Sequence, residues 1–141
     1  MQIKNKGFTL IELMITIAIL ATLALMAAPS FITMVRNYQL TTDTRDFIDL
    51  LAETRSEAIF KQKAQTLAIN TTVVGSYKTW TPSEIQKDSG VTSITFKHLG
   101  QTDSAECFIF SHISDSALKA YVYVQKGGTV VYNKSLTSCP T

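Results

Sequence analysis

The spacing of apolar positions along the chain changes character twice. From Phe8 to Ala28 they are almost continuous, with Leu10, Ile11, Leu13, Met14, Ile15, Ile17, Ile19, Leu20, Leu23, Leu25 and Met26 padded by Ala and Thr, and with one acid, Glu12. A run of about 21 residues, rising about 1.5 Å each, is long enough to cross a hydrocarbon core of about 30 Å. It is apolar on every side, and a chain of 141 residues has little room to wrap such a helix in its own core. The run therefore predicts a membrane span. Pro29 follows at once, yet helical periodicity resumes: Leu40, Phe47, Ile48, Leu51, Ala58 and Ile59 form a stripe, with Asp43, Arg45, Asp46, Asp49, Glu53 and Glu57 mostly off it. Pro29 is thus read as a bend within one helix from about Phe8 to about Lys61, some 80 Å long at about 1.5 Å per residue.

Beyond Lys61 the period shortens. Residues 65–69, 76–80, 91–97, 106–111, 120–125 and 129–133 are short and rich in Val, Ile, Thr, Phe and Tyr, and Gly, Pro, Asp and Ser separate them. These read as strands. The last two flank Lys126-Gly127-Gly128, a hairpin turn where glycine supplies positive φ. One face of the sheet must cover the helix stripe, so the fold class is α+β, a long bent N-terminal helix packed on a C-terminal antiparallel sheet. No repeat or linker marks a second domain.

Charge fixes the orientation of the span. Lys4 and Lys6 precede it with no acid beside them, which places residues 1–7 in the cytoplasm and the bulk of the chain outside. A cleaved secretory signal peptide is the plainer alternative. Ala27-Ala28-Pro29 is a poor cleavage site for it, because proline stands just after the small residues, and Glu12 does not belong in a signal core. A carboxylate inside a membrane helix costs about 2.5 to 3.5 kcal/mol at the centre, less near an end, and such residues are usually functional and paired.

Lys6-Gly7-Phe8-Thr9-Leu10-Ile11-Glu12-Leu13 resembles the class III signal of type IV pilins and type II secretion pseudopilins. That resemblance implies a prepilin peptidase cutting between Gly7 and Phe8 and methylating the new amine of Phe8. It also implies a partner for Glu12, the N-terminal amine of a neighbouring filament subunit; a buried acid satisfied by a cation is tolerable and fixes axial register. Leu51 to Asn70, above all Arg55, Ser56, Glu57 and Ala58, is similar to the helix-to-sheet junction of the GspH/FimT branch of minor pilins and pseudopilins. Trp80, the Ile94-Thr95-Phe96 strand with Gly100 behind it, and the late hairpin fit that branch as well. From the residue types, Ala58 allows close helix-to-sheet contact, and Arg55 and Glu57 are expected at the rim.

Cys107 falls in a strand and Cys139 near the end, on the oxidising side of the membrane by the topology above. A bridge would close a loop of about 31 residues and stabilise by about 3 to 4 kcal/mol in the chain-entropy model; two unpaired thiols are the alternative. His98 and His112 have no partners at metal-ligand spacing and read as surface or strand-end residues. No phosphate loop, nucleophile elbow or carboxylate pair stands out, so neither catalysis nor a cofactor is expected.

The precursor has 13 basic and 11 acidic side chains, and losing Lys4 and Lys6 leaves 11 of each. Some FimT-type pilins bind DNA through a Gly-Arg-x-Arg motif in the C-terminal hairpin region; here that position reads Gly127-Gly128-Thr129-Val130, and no arginine follows Arg55. A weak lysine-based contact at Lys119, Lys126 and Lys134 is the remaining DNA alternative, and DNA is not the favoured partner. The expectation is a leader at 1–7, a membrane and filament-core helix at 8–29 containing Glu12 and Pro29, and a periplasmic head at 30–141. Its partners would be the inner membrane, prepilin peptidase and other minor and major pilins or pseudopilins. The implied role is a minor subunit that primes or caps a type IV pilus, or alternatively a type II secretion pseudopilin.

Overall fold

The computed structural model describes residues 7–132 and 137–139. Lys4, Lys6, Asn133 and Lys134 lie outside the described residues, so the expectations placed on them are not addressed by the fold. Helix α1 spans Leu10–Phe60 and is followed by β1 (Gln65–Ile69), β2 (Lys78–Trp80), β3 (Ile85–Ser89), β4 (Ser93–Phe96), β5 (Glu106–His112), β6 (Asp115–Val124) and β7 (Val130–Tyr132). The chain divides into two compact units, one ending at Val35 and one beginning at Arg36.

In the first unit α1 runs on through Pro29, with a local bend just before it at residue 27. Proline removes the hydrogen bond to the carbonyl four residues back and crowds it, which accounts for a bend at that level. The threonines in this stretch satisfy themselves. Thr16 and Thr22 donate their hydroxyls to Leu13 and Ile19 carbonyls at 2.8 Å, and Thr33 donates to Pro29 at 3.2 Å. A polar residue so bonded can sit among apolar side chains without an unpaired donor.

In the second unit, the helix buries Leu40, Thr44, Phe47, Leu51, Thr54 and Ala58, an alternation of four and three residues that keeps one seam against the sheets. Ile59, expected on this stripe, is 41% exposed. Thr44 and Thr54 are fully buried in its place, each donating its hydroxyl to the carbonyl four residues back, Leu40 or Leu50, at 2.6 Å. That bond hides the hydroxyl and leaves the methyl group to pack. The helix ends in a Schellman turn: Lys63 N–H reaches Ala58 C=O and Gln62 N–H reaches Ile59 C=O, with Gln62 at φ 54° in the left-handed position.

The strands form two sheets, β2-β1-β4 and β3-β5-β6-β7. All pairs are antiparallel except β1 with β2, which run parallel through the return loop 70–77. Two stretches escaped the sequence reading, β3 and the first half of β6. Both are mostly polar, and their polar groups are paired across the sheet: buried Ser111 donates to Asp88 at 2.8 Å, Gln86 donates to Ser111 at 3.3 Å, and Lys119 lies 3.9 Å from Asp88. Lys87 folds onto the carbonyls of Gly90 and Val91, and partial burial holds its ammonium below the ordinary value.

Phe47 joins the two sheets. Its ring centroid lies 4.8 Å from Trp80 of β2 and 5.0 Å from both Phe108 and Phe110 of β5. Phe47→Ala is expected to cost about 3 to 5 kcal/mol, the range for truncating a buried aromatic. Trp80 is the single tryptophan, so denaturant titration followed by its fluorescence measures this directly. A loss under about 1 kcal/mol would place the main core elsewhere.

Candidate functional site

Two regions carry the residues singled out from the sequence. In the first, Gly7 and Phe8 precede the helix and Thr9 caps it: Glu12 N–H donates to Thr9 Oγ1 at 3.3 Å and Leu13 N–H to Thr9 C=O at 3.2 Å. Thr9-Leu10-Ile11-Glu12 is thus the Thr-x-x-Glu pattern of a helix start, with Glu12 in the first turn where the helix dipole favours a negative charge. The sequence reading missed this second role of Glu12, although the spacing was there to find. Glu12 is exposed, with no ion-pair partner among the described residues. An added Cβ at Gly7 would meet nothing within 4 Å, so the fold places no steric demand for glycine there.

Around that helix the apolar side chains are bare, from Phe8 at 82% exposure through Ile15 and Ile19 at 54% to Met26 at 78%. A continuous apolar surface of this kind requires lipid or protein to cover it. No single helix among the described residues is long and apolar enough to cross a membrane; Leu10–Met26 and Ala28–Phe60 pass that test only together, as a bent pair, on length and composition.

The second region is the helix-to-sheet junction. Arg55 was expected at the rim with Glu57, and both are half-buried, but they have different partners. Arg55 donates from Nε to Gly100 C=O at 3.0 Å and from a terminal nitrogen to Gly127 C=O at 3.3 Å, fastening two turns to the helix. Glu57 pairs with Lys61 at 3.1 Å, Ser56 donates to Ala52 C=O at 2.9 Å, and Ala58 is fully buried. A Cβ on Gly128, at φ 81°, would collide with Gly100 C=O and come within 2.8 Å of Arg55 Nε. Thr102 completes the junction, its N–H donating to Lys126 C=O at 3.0 Å and its hydroxyl to Ser104 C=O at 2.8 Å.

Cys107 and Cys139 are joined by a disulfide, with their Cα atoms 6.0 Å apart. Lys119 is drawn to Asp88, and Lys126 sits exposed on the hairpin turn. His98 is exposed, whereas His112 is buried at the end of β5. There Ser114 N–H donates to His112 Nδ1 at 3.0 Å, which leaves Nε2 to donate to Gln39 at 3.0 Å. Among the described residues no group of His, Cys, Asp and Glu gathers to hold a metal. Glu53 accepts from Lys78 at 2.7 Å and Tyr77 at 3.0 Å; the Lys78 bond, then the Tyr77 bond, holds its carboxyl below the ordinary value, and Lys78 and Tyr77 are both raised by the bond to Glu53.

Residues 3–28 match the model of the prokaryotic N-terminal methylation motif. The fold is similar to that of two crystal structures of the type IV minor pilin FimU of Pseudomonas aeruginosa (strain PAO1). One has TM-score 0.53 and 14% identity over 68% of this chain and 89% of that one. The other has TM-score 0.51 and 15% identity over 67% and 92%. No curated protein matches the chain. The chain therefore combines a prepilin-type N-terminal motif with a type IV pilin-like fold, a long helix on a β-sheet domain. The motif and the apolar helix behind it suggest membrane anchoring.

Gly128→Ala should destabilise by more than about 1 kcal/mol, because positive φ and the Gly100 carbonyl both oppose it, whereas Gly127→Ala should change stability by less than about 0.5 kcal/mol. Paired denaturation curves test this, and equal effects would refute the tight junction. In an NMR titration the Glu53 carboxyl should titrate below the ordinary 4.5 and move up in Lys78→Ala. Since its folded pKa is lowered, the stability it contributes is present above the unfolded value and lost as pH falls through the folded one. The raised Lys78 and Tyr77 have the opposite sign, losing their contribution as pH rises through their folded values.

Proposed function

We propose that this chain is a structural, non-enzymatic minor subunit of a type IV pilus, which joins other minor pilins through its N-terminal helix to prime or cap the filament. The observation that carries this reading is the methylation motif over residues 3–28 running directly into an exposed apolar helix. On this reading prepilin peptidase cleaves between Gly7 and Phe8 and methylates Phe8. Residues 8–29 pass from the inner membrane into the filament core, and residues 30–141 form a periplasmic head. Glu12, at the start of the helix, would meet the Phe8 amine of a neighbouring subunit once both are out of water, and Pro29 would let the packed helix bend.

The pilin-like fold shared with FimU, by name a type IV minor pilin, supports a pilus over a secretion pseudopilus. A DNA receptor has less support, since Asp88 offsets the charge of Lys119 and no arginine follows Arg55.

The test joins processing to assembly. Mass spectrometry of the mature protein should find N-methylated Phe8 at the N-terminus; a start at Pro29 or Ser30 would overturn the pilin reading. Glu12→Ala should leave the thermal unfolding of the head unchanged and lower the amount of the chain recovered in sheared filaments. Normal recovery would refute the Glu12 pairing while leaving the processing result to stand.

A further inference from the structure

Strand β4 is an edge of the sheet β2-β1-β4, and two hydrogen bonds fix which way its backbone points. Ile69 N–H donates to Thr92 C=O at 2.8 Å. In a strand the N–H and C=O of one residue face one neighbour and those of the next residue face the other. Ile94 and Phe96 therefore face β1, and Ser93 and Thr95 face outward. The partner strand agrees: Thr66 C=O accepts Tyr77 N–H at 2.7 Å on the β2 side, and Thr66 sits opposite Thr95 with the two hydroxyls 2.8 Å apart.

After β4 the chain doubles back and makes one rung along this outer edge, Lys97 N–H to Gln101 C=O at 2.8 Å. It then peels away, because Thr102 is held to the β6–β7 turn. A groove of about 160 Å³ is left, its lining including Ser93, Thr95, Asp103, Ser104 and Glu106. Among the described residues no hydrogen bond outside the β1 ladder reaches the backbone of Ser93 or Thr95.

Edges that must stay free usually carry a guard. β3 has a bulge between Lys87 and Ser89, and Lys87 is folded over the neighbouring turn. β2 is only three residues long and carries Lys78 in the Glu53 cluster. β4 has no lysine, proline or bulge of its own, and Lys97 just past its end is held in an ion pair with Asp103. Glu106 accepts the Ser104 hydroxyl at 2.7 Å and has no cation partner among the described residues, so the lining of the groove carries an uncompensated acid.

We propose that the β4 edge is a docking site for an extended segment of a partner protein that carries a lysine or arginine. The segment would add as a strand beside Ser93 and Thr95 and place its cation against Glu106. Alternating donors and acceptors at strand spacing are met together only by another extended backbone, and the acid selects a basic one. This rests on the sheet edge and Glu106, so it holds or fails separately from the filament reading.

The probe is a labelled peptide, Thr-Val-Lys-Val-Thr-Val, titrated by fluorescence anisotropy into the full chain in detergent. It should bind, and the same peptide with alternate backbone amides methylated should not. Ser93→Pro removes an outward N–H that the β1 ladder does not use, as proline on an edge strand can. It should leave the unfolding midpoint within a few degrees and weaken binding by about tenfold or more. Glu106→Lys, which tests charge without touching the backbone, should switch preference to a peptide with Glu in place of Lys. Three results would each overturn the proposal: undiminished binding of the methylated peptide, undiminished binding to both variants, or no binding at millimolar peptide. Slow hydrogen exchange at Ser93 and Thr95 in the free chain would also overturn it, by showing the edge already filled.

Discussion

One ring holds the head together. Phe47 is the contact at which the helix, the sheet containing β2 and the sheet containing β5 meet, with Trp80, Phe108 and Phe110 all within 5.0 Å of it, centroid to centroid. Among the described residues the sheets share no ladder, and the hydrogen bonds from Thr102 to the β6–β7 turn join loops rather than strands. Their common reference is the helix seam. Edge-to-face packing around Phe47 adds orientation to burial, because tilted rings at this separation attract one another beyond the area they hide. The four-and-three spacing of the seam follows from the same demand, since a residue off that spacing would turn away from one of the sheets.

That constraint explains what could be read from the sequence and what could not. The long helix, the bend at Pro29 and most of the strands follow from hydrophobic period, and the hairpin follows from its glycines, Gly128 at φ 81°. Thr44 and Thr54 were invisible because hydropathy counts a hydroxyl as polar, while the helix backbone bonds that hydroxyl and presents a methyl to the core. β3 was hidden for the reverse reason, as its polar side chains are satisfied by cross-strand partners that a sequence does not display. Resemblance and residue type place Arg55 at the rim of the junction, but its role as the link between two turns depends on residues distant in sequence, Gly100 and Gly127. At the N-terminus the Thr9 cap is legible from the Thr-x-x-Glu spacing alone, because both partners lie within one helical turn.

The two units solve the problem of polar groups in different ways. In the head, buried polar side chains are paired with one another or with backbone, as in His112 between Gln39 and Ser114. In the first unit the threonines bond within their own helix, so the surface left over is apolar and needs no outside hydrogen bonds. Such a surface suits lipid and the apolar side chains of other helices alike, because it asks neither for donors or acceptors. Glu12 departs from this pattern, and a lone carboxylate beside an otherwise self-satisfied surface is where a requirement for a specific partner would be expressed.

The end of the chain poses the opposite problem, too little apolar material. β7 is three residues long, with no fully buried side chain, and a strand that short contributes little on its own. It is held from two directions. At its turn, Arg55 of the helix and Thr102 of the loop after β4 bind the carbonyls of Gly127 and Lys126. From the sheet, the disulfide ties Cys139 to Cys107 of β5, which points away from the Phe108 and Phe110 face by strand alternation. Separated by 32 positions in sequence, the cysteines stabilise by about 3 to 4 kcal/mol in the chain-entropy model. The two restraints differ in kind: the carbonyl contacts fix the geometry of the turn, whereas the cross-link mainly limits how far the unfolded tail can wander. The hairpin turn therefore owes its shape to Arg55 and its glycines, and substitution in the turn and reduction of the bridge are expected to act on different properties, native geometry in the first case and the freedom of the unfolded chain in the second.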